Sequence, residues 1–383
     1  MSEYQYLEFL AVDRPLSERE MDHLRAISSR AQITPVSFVN EYSWGGLKAD
    51  PRNFMRHFFD VHVFLANWGD AILMVRLPRE AVDLKTLKAF CTSPHLEFEK
   101  LPEHWLLTWS LGETEDYDRF GYVEGTGWMS RLAPLREELM RGDLRSLYIG
   151  WLRAITNEDA DQEALEPMAL QGLGQLTAAQ QALAEFLEVD IDLLAGVGGG
   201  SQTNPPETAD AATLDAWLDG LPKIEVRGYL RQMLDGQGAS AERALKRRHA
   251  AWQAQFAPTP ERVRRSVAEL CQLAEQATGL RLIDEAKACR QAEAERKKQR
   301  DAWLARLSAD FPRAWKTVHD EAGKGHAHAY DAACRQLVDL RDAYSQHATL
   351  AVFQKEFQKF MTEHLRRRAL VQRLVKAGLW LVG

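Results

Sequence analysis

Between residues 319 and 331 the chain gathers His319, Asp320, Glu321, His326, His328 and Asp331, side chains of the kinds that hold zinc or another transition metal. The metal candidates are His326, His328 and Asp331. Their spacing matches no established ligand pattern, however, and Gly323-Lys324-Gly325 marks a loop in which solvated histidines need no ion. Acid–base candidates form two further groups: Glu97, Glu99, Glu103 and His104, then Glu113, Glu115, Asp116 and Asp118. Glu97 and Glu99 alternate with Leu96 and Phe98, which suits the wet face of a half-covered strand, and the second group reads as a polar loop. The run Gly196-Val197-Gly198-Gly199-Gly200-Ser201 could bring backbone amides to a phosphate, yet no strand precedes it and no G-K-[ST] follows. A flexible linker is the reading that fits it. No serine or cysteine stands in a nucleophile motif, so no catalytic residue and no cofactor are expected.

The strongest chemical signal is positive charge. Lys246-Arg247-Arg248, then Arg262, Arg264 and Arg265, then Arg296-Lys297-Lys298 with Arg300, and Arg366-Arg367-Arg368 with Arg373 form four clusters able to meet phosphates or acidic surfaces. The net charge of −7 conceals their concentration. Residues 224–383 hold 29 basic and 19 acidic residues, a net of +10, which leaves −17 on residues 1–223. Opposite fields on two parts of one chain suit mutual docking, separate partners or attraction of a polyanion.

The elements that must carry these residues divide at about residue 128. Tyr4–Val12 reads as an interior strand, Ser17 and Glu20 as the capping box of a helix, Ile33–Tyr42 as a strand, and Asp50-Pro51 as the start of a short helix bearing Phe54, Phe58 and Phe59. Val61–Ala66 and Ala71–Leu77 flank a four-residue hairpin loop. Asp83 caps another helix, and strands follow at Leu96–Leu101 and Trp105–Leu111. Together these predict an α+β fold, a mixed sandwich with helices on one sheet face, followed by a mainly α-helical, repeat-like region. From Trp128 the apolar period becomes helical. Thr177 caps one helix, Ser240 another, and Thr259-Pro260-Glu261 opens one that stops at Gly279; residues 284–308 form a long charged helix. The expected division is 1–127, a helical extension 128–195, a Gly/Pro linker 196–208 and a basic helical domain 209–383. Cys91, Cys271, Cys289 and Cys334 lie far apart without a C-x-x-C pair, as reduced thiols, the last three on helical stripes that pack a core.

Residues 329–380, with AYDAACRQLVDLRDAY and VFQKEFQKFMTEHLRRRALVQRLVKAGL, resemble the helical tails of bacterial SWIM-type zinc-finger proteins and tetratricopeptide-like helix pairs. That resemblance implies helical architecture only, because the C-x-C and C-x-H ligands of the zinc module have no counterpart here. The run YQYLEFLAVDRPLSEREMDHLRAIS with FVNEYSWGGLKADPRNFMRHFFDVHVFLANWG is similar to a bacterial family without an assigned activity.

With 45% hydrophobic residues and 14 prolines in 383, the composition excludes collagen-like and wholly disordered classes. No apolar run approaches the roughly 18 residues of a membrane span, and charges in the first 20 positions break a signal-peptide core, so no membrane and a cytoplasmic location are expected. The leading expectation is a non-catalytic adaptor or scaffold that binds a macromolecular partner, a protein, through Lys246, Arg247, Arg248, Arg264, Arg265, Arg296, Lys297, Lys298, Arg366, Arg367 and Arg368, with Phe or Trp anchors. The alternatives are DNA or RNA binding through the same residues, and an enzyme with a site between the acidic domain's sheet and its helices.

Overall fold

The structure, a computed structural model, describes residues 4–112, 125–199, 211–236, 238, 241–242, 244–246, 248–249, 252 and 264–380. It divides into two compact units, residues 1–280 and 281–383. The sheet of the first unit has seven antiparallel strands: β1 (Gln5–Leu10), β2 (Gln32–Thr34), β3 (Ser37–Tyr42), β4 (Val61–Ala66), β5 (Ala71–Pro78), β6 (Leu96–Lys100) and β7 (His104–Ser110), in the order β2-β3-β1-β4-β5-β7-β6. The expected strand over 33–42 is a hairpin instead. Pro35 sits at its turn, where no ladder N–H is needed, and Thr34 pairs with Ser37.

Helices cover both faces of the sheet, which corrects the expectation of one. On one face α1 (Glu18–Ile27), with its Ser17/Glu20 capping box, and α2 (Pro51–His57), capped by Asp50, bring Leu24, Phe54 and Met55 onto Leu7, Phe9 and Met74. On the other lie α3 (Leu84–Phe90), α4 (Trp128–Leu132), α5 (Pro134–Met140), α6 (Arg145–Thr156), α7 (Ala178–Phe186) and α8 (Ile191–Gly199). Their Leu132, Leu135, Leu147, Tyr148 and Leu183 bury Tyr6, Val63, Leu73, Val75, Leu107 and Trp109. Alternate residues of β1 are apolar in both directions, Tyr6 one way and Leu7 and Phe9 the other, so either bare face would leave aromatic surface in water. The two helices α9 (Ala211–Asp219) and α10 (Lys223–Leu234) follow.

Helix α11 (Val267–Ser308) runs unbroken for 42 residues, through the expected stop at Gly279. A single glycine costs a helix only about 1 kcal/mol, and good helix formers flank this one. The boundary between the compact units falls inside α11, at Leu280/Arg281, whereas the expected linker lies mostly outside the described residues. Gly196 and Gly198 belong to the last turns of α8, where the chain packs too closely for a side chain. A Cβ on Gly196 would lie 2.6 Å from the Leu273 backbone, and one on Gly198 2.9 Å from Gly174.

The second unit holds α12 (Phe311–Gly323), α13 (Ala327–His347), α14 (Leu350–His364) and α15 (Arg368–Lys376). Helix α13 touches the other three, and Trp315, Leu337, Leu340, Tyr344, Phe353, Phe357, Phe360 and Leu370 fill the space between them. No described helix is long and apolar enough to cross a membrane.

Candidate functional site

The basic clusters divide by what their side chains touch. Arg265 is a clamp: its guanidinium donates to both oxygens of buried Glu166 at 3.1 Å, its backbone N–H donates to the same carboxylate at 3.0 Å, and Tyr148 Oη adds a bond at 2.6 Å. Burial pushes the Glu166 carboxyl up, but the hydrogen bonds from Arg265 and Tyr148 and the charge of Arg265 outweigh that and hold it below the usual range. Lys246 pairs with Glu242 and Arg248 with Glu225. Arg367 donates to the carbonyls of Ala322 and Gly323 at the end of α12 and to Tyr330 Oη. Arg300 bridges Asp339 and Asp342. Arg264, Arg296, Lys297, Lys298, Arg366 and Arg368 are exposed and make no ion pair among the described residues, while Arg247 and Arg262 lie outside them. The charge bias persists at the structural boundary. Residues 281–383 hold 20 basic and 13 acidic residues.

Phe353, Phe357 and Phe360 are core residues, so they are not surface anchors. The exposed apolar residues lie elsewhere. Helix α10 buries none of its side chains, with Ile224 82% and Leu234 88% exposed, and α11 exposes Leu280, Leu282 and Ile283. Every residue from 282 to 299 of α11 is exposed, including Cys289, which was expected to pack. Burial pushes the Cys91 thiol up to about 12, so it stays protonated at neutral pH.

Of the acid–base candidates of the first unit, Glu97 and Glu99 are engaged in ion pairs, Glu103 and His104 line an open surface pocket with Arg79 and Trp105, and the rest lie outside the described residues. Glu99 is paired with Arg56 at 2.7 Å and Glu97 with Arg52 at 3.4 Å; residues 113–118 are not described. The space between the sheet and the helices after it is packed with apolar side chains. Two polar networks there were not legible in the sequence. Buried Asp60 accepts from the N–H groups of Val12 (2.7 Å) and Asp13 (2.9 Å) and from Arg76 (2.7 Å), while Arg136 donates to Asp13 (2.7 Å) and to the Arg76 carbonyl (2.9 Å). His95 lies between the Ser110 carbonyl (3.0 Å) and Asp159 (2.9 Å), which occupies both ring nitrogens and leaves neither to take a proton from a substrate.

The predicted metal candidates are not brought together. His326 caps α13, its Nδ1 accepting from the Ala329 N–H at 3.2 Å; His328 is exposed in the first turn; Asp331 is bound to Arg373 at 2.5 Å. A different set converges. His319 on α12 meets Glu363 and His364 at the end of α14, with His319 Nδ1 3.1 Å from Glu363 Oε2 and 3.4 Å from His364 Nε2. The only sequence signal for it is a pair of i,i+4 patterns, Trp315/His319 and Phe360/His364, which put each imidazole one turn beyond a core aromatic ring. Comparison of the chain with protein-family models, curated proteins and solved structures finds no match.

Proposed function

We propose that the chain is a non-catalytic adaptor that binds a macromolecular partner, in the first place a protein, through its basic helical region. The observation that carries this reading is the run 282–299, about 27 Å of helix exposed at every position. A helix polar all round gains nothing from burial and needs many i,i+4 pairs, or a partner, to favour it. Among the described residues the i,i+4 pairs of this stretch are the Gln299–Glu295 hydrogen bond and the ion pair that Glu285 makes with Arg281 just before it. Leu282 and Ile283 at one end and Arg296, Lys297 and Lys298 at the other supply apolar contact and a positive rim. The unburied apolar side chains of α10 add to the same reading.

The second reading, nucleic acid, draws on the same free cations, Arg296, Lys297 and Lys298. Phosphate contact predicts a log affinity that falls steeply with log salt. Affinity capture with the full chain separates the two. The adaptor reading expects protein species that survive nuclease treatment and are lost when Arg296, Lys297 and Lys298 are changed to Glu. Nuclease-sensitive capture moves the assignment to DNA or RNA. Identical capture by wild type and triple variant removes both.

A further inference from the structure

We propose that His319, Glu363 and His364 form a binding site for a divalent transition metal of the zinc type, independent of the partner-binding reading. Two imidazoles and a carboxylate are a donor set that zinc takes with three protein ligands and one open position. The spacing fits as well as the chemistry. A tetrahedral zinc with metal–nitrogen bonds of about 2.0–2.1 Å holds its ligand atoms about 3.3–3.4 Å apart. His319 Nδ1 and His364 Nε2 stand 3.4 Å apart, His319 Nδ1 and Glu363 Oε2 3.1 Å apart, and all three ligand atoms lie within 4.8 Å of one another.

Protons alone leave this arrangement incomplete. His319 Nδ1 faces a carboxylate oxygen and a second imidazole nitrogen at once. His319 Nδ1 has one in-plane site for a proton and so cannot serve the carboxylate and the second imidazole equally, whereas a cation placed among the three atoms accepts a lone pair from each. His364 is only 7% exposed, and its other nitrogen, Nδ1, is buried without a hydrogen-bond partner. That leaves Nε2 as the nitrogen turned toward the cluster. Arg367, the neighbouring cation, spends its Nη1 on Ala322, Gly323 and Tyr330.

The scaffold holds the ligands in place before any ion arrives. Phe360 is fully buried and lies against both imidazoles, with ring centroids 5.1 Å from His319 and 4.5 Å from His364, and Trp315 backs Phe360 at 6.4 Å. Both ligand helices belong to one compact unit. His319 is partly exposed and Glu363 exposed, so the fourth position opens to solvent and water can complete the shell.

The test uses the full-length chain, stripped with chelator and titrated with zinc by calorimetry and with cobalt by visible absorption. Expected are one equivalent bound, a cobalt spectrum without a thiolate charge-transfer band, and affinity lower by about tenfold or more in His319→Ala and Glu363→Gln. Far-UV circular dichroism of the metal-free variants checks that they fold. His364→Ala removes a core side chain and can fail on those grounds, so protection of His319 and His364 from diethylpyrocarbonate by zinc is measured on the wild type. Unchanged affinity in a folded His319→Ala variant, a thiolate band, or absence of zinc protection at these two histidines overturns the site.

Discussion

The two units solve the problem of charge in opposite ways. In the first, charged groups are taken inside and each is given several partners: Asp60 with Arg76 and two backbone amides, and Glu166 with Arg265 and Tyr148. In the second, the interior is aromatic and aliphatic, and the ion pairs Arg300–Asp339 and Arg373–Asp331 stay on partly exposed side chains. Arginines adjacent in composition therefore differ in kind. Arg265 joins residues 99 positions apart in the chain, while Arg296 is exposed and makes no side-chain hydrogen bond or ion pair among the described residues. A cluster of like charges in a sequence thus mixes structural clamps with free surface, and burial of the partner separates them.

The widest gap is expected at Arg265. Arg265→Ala leaves the buried Glu166 carboxylate without its counter-charge, and should cost about 3–5 kcal/mol in urea unfolding. A loss under about 1 kcal/mol would show that the clamp is as dispensable as a surface pair. Next comes a pH effect confined to the first unit. His62 is completely buried against Phe9, its Nδ1 bonded to the Glu8 carbonyl, and burial pulls its pKa down to about 4. The unfolded chain then binds the extra proton between pH 6.5 and 4 while the native chain does not. Stability is full above pH 6.5 and falls as pH drops toward 4, by about 3 kcal/mol. Hydrogen exchange of β4 should follow that curve, and His62→Leu should flatten it.

Gly196→Ala should cost about 1–3 kcal/mol, because its new methyl meets the Leu273 backbone at 2.6 Å and not a movable side chain. A neutral result in thermal melts would restore the linker reading for the glycine run. Arg373→Ala in the second unit should cost less than about 1 kcal/mol, as exposed pairs do. Smallest of all, Lys297→Glu should change stability by no more than about 0.5 kcal/mol, since nothing in the fold rests on it. A larger loss would mean that the exposed 282–299 stretch of α11 carries part of the fold.

Several local signals in the chain were legible and correctly placed, although the helix stop expected at Gly279 was not. The Ser17/Glu20 capping box, the Thr177 cap, the Asp50 cap before Pro51 and the hairpin between β4 and β5 depend on residues within a few positions of one another. What failed to read was long-range. The split of β2 from β3 turned on a single proline, and most of the second helical layer depended on chain that begins 18 residues after the last strand. The convergence of His319 with His364 spans 45 positions without a motif. His326, His328 and Asp331 stood close in sequence, yet a cap and an ion pair had already taken two of them.

Composition and local pattern by themselves determined the α+β order, the starts of α1, α2, α3 and α7 and the excess of positive charge in the later part of the chain, because each is a property of neighbours or of counts. Tertiary structure decided which arginines are buried clamps, why the glycines are small, and which histidines meet. Those outcomes depend on desolvation and on distances between atoms that only packing brings together.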